Sequence, residues 1–150
     1  MKNLNIVRLL LGGLASAAVI YLAEYIVNGV ILAHGWMLWG AVVNRSFVTP
    51  PEGVSMALWA AQALIAGIAG TFVYAAILDW VGIRMRAAYI SALVVWSVGW
   101  LGMSLDKLAL GVEPAKMIHY NMLAALLACL VGQYLASLIY RDKDMPQDDA

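Results

Sequence analysis

Residues 6–32 read IVRLLLGGLASAAVIYLAEYIVNGVIL, an apolar run with Arg8 near its start and Glu24 and Asn28 as its strongly polar members. A helix crossing a bilayer needs about 20 mainly apolar residues, so this stretch is long enough to span. Lipid offers no hydrogen-bond partners to a bare backbone, which makes the span helical. Glu24 is the informative residue. An ionisable group at membrane depth costs about 2.5–3.5 kcal/mol even on mild insertion scales, and such groups pair with one another or mark function.

Three further tracts qualify as spans: Val54–Leu78, Ala87–Leu105 and Ala115–Tyr140, after the first at Ile6–Leu32. The chain is 64% hydrophobic and 12% charged, against about 45–50% and 25% for soluble domains. The fold class is therefore all-α: a polytopic, antiparallel four-transmembrane-helix bundle. Residues 1–140 form the four-span transmembrane domain. Residues 141–150, with Asp148 and Asp149, form a short charged cytoplasmic tail expected to be disordered. Asp79–Arg86 is a tight connection, making the second and third spans a hairpin. Pro114 is placed as the first residue of the fourth.

Lys2 and Arg8 followed by Ala15-Ser16-Ala17 have the pattern of a cleavable leader, yet the apolar run continues unbroken to Leu32. An uncleaved signal-anchor helix is the expectation. Lys2, Arg8, Arg84, Arg86, Arg141 and Lys143 fall on one side of the spans, and Arg45, Lys107 and Lys116 on the other. By the positive-inside rule both termini face the cytoplasm, in a bacterial inner membrane. In the long outer connection, Trp36, Trp39, Val43 and Phe47 recur at spacings of three and four. Two readings fit that spacing: a short amphipathic helix in the outer interface, or a loop with tryptophans in the aromatic belt.

Glu24 lies about eight residues below the outer end of its helix, roughly 12 Å at 1.5 Å per residue. Counting inward on the other spans places Gln62, Ser97, Ser104 and Asn121 near the same depth, with His119 and Tyr120 slightly further out. Glu24, Asn28, Gln62, Ser97 and Asn121 thus form a polar intramembrane layer, with Glu24 and Asn28 on one helix face and Tyr21 preceding them. The layer is a closed hydrogen-bonded network holding the bundle together, a site responding to a proton or cation, or a polar contact to another subunit, a lipid headgroup or a bound quinone. The segment Glu24-Tyr25-Ile26-Val27-Asn28-Gly29-Val30-Ile31-Leu32 resembles the first helix of small uncharacterised four-helix bacterial integral membrane proteins. That resemblance implies that Glu24 and Asn28 belong to the signature of the fold, and it implies no activity.

Ala124, Ala128, Gly132 and Ala136 recur every four residues, a packing face that allows close helix approach in lipid. Ala63, Ala66, Gly67 and Gly70 repeat the pattern on the second span, and Gly99 and Gly102 lie on the third. His34 and His119 are candidate outer-side ligands, but no close histidine spacing supports a metal site, and no cofactor is expected. The eight methionines and the single Cys129 read as apolar filler. Zero net charge and the lack of a basic stripe speak against nucleic acid as a partner. No phosphate loop, nucleophile elbow or zinc-protease motif occurs, so an enzyme is not expected. The expected role is association: an accessory subunit of a larger membrane complex or a homo-oligomer, with the lipid bilayer as constant partner. The alternative is a small proton- or cation-linked transporter or channel using Glu24.

Overall fold

The computed structural model describes residues 4–43 and 52–140 of the chain. Its elements are α-helices throughout: α1 (Ile6–Ile26), α2 (Ala33–Val43), α3 (Glu52–Val81), α4 (Arg84–Trp96), α5 (Gly102–Leu110) and α6 (Ala115–Ile139). Two π-helical turns, Val27–Ile31 and Ser97–Leu101, extend α1 and join α4 to α5. Four helices are long and apolar enough to cross a membrane: Ile6–Ile31, Met56–Val81, Arg84–Leu110 and Ala115–Ile139. The protein is an integral membrane protein built as a four-span bundle. The third span runs beyond its apolar tract at both ends, because Arg84 and Arg86 lie on the helix itself rather than in the preceding turn.

Local chemistry sets the helix ends. The Asn5 side chain accepts from the Arg8 amide at 3.2 Å and caps α1. Gly82 (φ 68°) and Gly111 (φ 61°) end α3 and α5 in left-handed geometry, which a side chain would strain. Pro114 stands just before α6 as its cap, one position earlier than the spacing predicts. Of the connection between the first two spans, Ala33–Val43 is helical, the first of the two readings that the spacing of Trp36 and Trp39 leaves open. Phe47 and the proline pair lie outside the described residues, as does the 141–150 tail.

α1 packs against α3 and α6, and α4 closes the ring on the same two helices, leaving α1 and α4 across the bundle from each other. The small-residue faces make these contacts. A Cβ at Gly67 would collide with the Gly13 carbonyl and with Ala17, and one at Gly132 would come within 2.7 Å of Ser16 Oγ. Ala63, Ala66, Ala128 and Ala136 are buried in the same seams, and Ala124 is half-buried. Gly99 and Gly102 face open space or only their own turn.

The bundle buries two apolar clusters. One, around Leu9, Tyr74, Leu78, Ala87 and Tyr140, occupies the end where α1 and α4 begin. The other, around Ile20, Ala63, Ala92, Trp100 and Cys129, leads towards the opposite end. A polar clasp lies in the packed interior. Gln133, wholly buried, donates through Nε2 to Ser16 Oγ at 3.0 Å and accepts from Ser91 Oγ at 3.5 Å. Gly70 leaves the room that Gln133 fills.

Candidate functional site

The first π turn begins where a side chain enters the backbone ladder. Asn28 Nδ2 donates to the Glu24 main-chain carbonyl at 3.2 Å, and the Leu32 amide then bonds back five residues to Val27 at 2.7 Å. Insertion of a side-chain donor into the i→i−4 ladder is a known cause of such local departures. The second π turn comes after Trp96, whose Nε1 donates to the Met122 carbonyl on α6 at 3.0 Å. Each turn carries one more residue than an α-helical turn, so it re-aims the side chains beyond it. π turns gather at functional sites, and these two supply Asn28 and Trp100 to one place.

Glu24 is the hub. Trp100 Nε1 donates to its Oε1 at 2.8 Å, and Asn28 Nδ2 donates to its Oε2 at 2.8 Å. Asn28 Nδ2 also reaches Asn121 Oδ1 at 3.1 Å, so its two N–H bonds are shared among three acceptors. Trp36 Nε1 donates to Asn28 Oδ1 at 3.3 Å, tying α2 to the network. The Glu24 carboxyl group holds Trp100 of the third span, and Asn28 links it onward to Asn121 of α6 and Trp36 of α2. Both carboxyl oxygens accept from N–H donors.

The network forms one wall of a cavity of about 550 Å³. Gln62 and Trp59 of α3 lie opposite, with Ser104 and Lys107 of α5 completing the lining. Lys107 on this lining is paired with Glu113 at 2.8 Å.

The layer expected from depth counting divides in three dimensions. Glu24, Asn28 and Asn121 are brought into direct contact, and Gln62 and Ser104 line the same cavity. Ser97 lies on the exposed side of its π turn and does not line the cavity. Tyr21 packs against the apolar cluster around Ile20. His34 and His119 are both exposed, and His119 Nδ1 lies 2.6 Å from the Ala115 carbonyl oxygen of its own helix. Among the described residues no three His, Cys, Asp or Glu side chains come together as metal ligands would.

Sequence reasoning passed over Trp36, Trp59, Trp100 and Lys107. The signal was available for Trp100, which lies between Ser97 and Ser104 at the counted depth and carries an indole N–H that needs a partner when buried. Comparison with known protein families, with curated proteins and with solved structures gives no match for the chain.

Proposed function

We propose that this membrane protein binds a small solute in the cavity beside Glu24, without catalysis, and that the cavity opens on the outer side of the membrane. One observation carries the reading: the intramembrane carboxylate lies on the wall of a cavity of about 550 Å³ rather than in a sealed seam. That volume falls within the roughly 300–1,000 Å³ of small-molecule sites. Hydrogen-bonding groups from α1, α3, α5 and α6 converge on it, and its two π turns belong to the type of helix irregularity that accompanies ligand sites. A carrier or receptor for a solute is the function class that fits.

The competing role, association as an accessory subunit or homo-oligomer, drew on small-residue faces in excess of what one bundle uses. The faces of α3 and α6 lie inside a single copy, against α1 and Gln133, while Gly99 and Gly102 of the third span stay open.

Ser104 tests the reading because it is buried and lines the cavity, so that a reagent from solution reaches it through the cavity. In Ser104→Cys, a membrane-impermeant thiol reagent added outside intact cells is expected to label the new cysteine, while the wholly buried Cys129 stays unmodified. A Ser104→Cys protein that labels only after unfolding in detergent would mean that the network is sealed structural glue.

A further inference from the structure

We propose that the occupant of the cavity is a small organic ammonium ion, held by the Glu24 carboxylate and by the ring surfaces of Trp36, Trp59 and Trp100. The inference rests on the reading that the cavity admits solutes, and adds the chemical class.

The hydrogen-bond assignments lead to it. Trp36 and Trp100 have their Nε1–H groups committed, to Asn28 Oδ1 and Glu24 Oε1. What these two indoles can offer an occupant is carbon ring surface, not a donor. Trp59 adds a third indole from α3. Indole faces attract cations, and alkylated ammonium ions are the cations they recognise best, because such ions are weakly hydrated and spread their charge over methyl groups. Glu24 supplies the compensating negative charge. Lys107, the cation on the lining, has its charge answered by Glu113.

Other occupants fit less well. Calcium takes about six to eight oxygen ligands and magnesium about six, and the cavity brings together one carboxyl group with a few amides and a hydroxyl. A cavity of about 550 Å³ is also far larger than a bare ion. An anionic solute would face Glu24 with only an already paired lysine to hold it. The same ammonium chemistry occurs in free solutes and in choline or ethanolamine lipid headgroups.

The experiment is calorimetric titration of the full-length protein in nanodiscs of phosphatidylglycerol, whose headgroup carries no ammonium. Tetramethylammonium and choline are expected to give saturable heats, and sodium at equal ionic strength none. Glu24→Gln is expected to weaken tetramethylammonium by about tenfold or more. Trp59 lies at the cavity edge and outside the hydrogen-bonded network, so its variants keep the test open should Glu24→Gln fail to fold. Trp59→Leu is expected to weaken binding by about 2- to 30-fold, and Trp59→Phe to retain most of it. Repeating the titration with phosphatidylcholine in the disc separates the sources. Competition by that lipid identifies a headgroup as the occupant, and unchanged affinity identifies a free solute; either result supports the ammonium chemistry. No saturable heat with tetramethylammonium, equal response to sodium, or unaltered affinity in Trp59→Leu would overturn the inference. If Ser104→Cys is labelled from outside and tetramethylammonium still fails to bind, the solute cavity stands and the ammonium assignment falls.

Discussion

Glu24 is an ionisable residue whose side chain ties two spans together on the wall of the proposed solute site. Its oxygens are fixed by Trp100 and Asn28, which sit on two different spans. Glu24→Gln keeps the side chain's size and one acceptor oxygen, so one of the two donors keeps its partner. Polar contacts between membrane helices average about 0.6 kcal/mol, and the expected loss in Glu24→Gln is of that order. Glu24→Leu removes both acceptors and leaves the part-buried Trp100 N–H unanswered, while Asn28 keeps the main-chain carbonyl of residue 24 and Asn121 as acceptors; about 1–3 kcal/mol is expected. Thermal unfolding in detergent of the two variants measures the contrast, and a Glu24→Gln loss equal to that of Glu24→Leu would refute it. At this scale the sequence was partly legible. The i, i+4 spacing of Glu24 and Asn28 and the depth of Asn121 were enough to anticipate their meeting. Depth alone does not give the angle around a helix axis, which is why Ser97, at the right height, points away. Trp100 escaped because its polarity is a single N–H on a large apolar ring, which a reading by hydropathy counts as core.

At the scale of the element, four spans and their antiparallel order are dictated by apolar length and short connections, and the structure has them. The π turns are not, since hydropathy records side-chain character and says nothing of whether a backbone amide bonds back four residues or five. The small-residue faces were legible as packing surfaces, but not their partners. The contact between α1 and α3 closes over Gly67, where an added methyl would strike the backbone of α1 at Gly13 and Ala17. Backbone cannot yield as a flexible side-chain end can, so Gly67→Ala is expected to destabilise the bundle by about 1–3 kcal/mol, the usual range for overpacking. Gly99 has nothing within 4 Å of the same added atom. Gly99→Ala is expected to unfold within a few tenths of a kcal/mol of the parent, since surface changes commonly fall within about 0.5 kcal/mol. Parallel melts of the two variants check the pairing, and equal melts would mean that the seam does not hold the bundle together.

Across the whole molecule the two ends of the bundle are built differently. At the end bearing Arg8, Arg84 and Arg86, Tyr74 and Tyr140 pack edge to face at 5.9 Å, and Arg84 Nη2 donates to the Ser137 carbonyl at 2.7 Å. That bond serves one of the carbonyls that the last turn of a helix leaves unpaired. At the other end lie the cavity, Lys107 and Glu113. Between them the Gln133 clasp sits in closely packed interior with no wholly buried charge beside it. On the proposed reading a solute entering beside Glu24 meets this packed floor, and the site is a cup open at one end. Which side the cup faces depends on the arginine-rich end, and the positive-inside rule predicts from the excess of basic residues there that this end faces the cytoplasm. Two exposed positions at opposite ends report on this: Trp80, 90% exposed where α3 ends, and Leu110, 67% exposed where α5 ends. In intact cells an impermeant thiol reagent is expected to label Leu110→Cys directly and Trp80→Cys only after the membrane is opened. The reverse pattern would turn the cup inward, and Glu24 would then have to draw its solute from the cytoplasm.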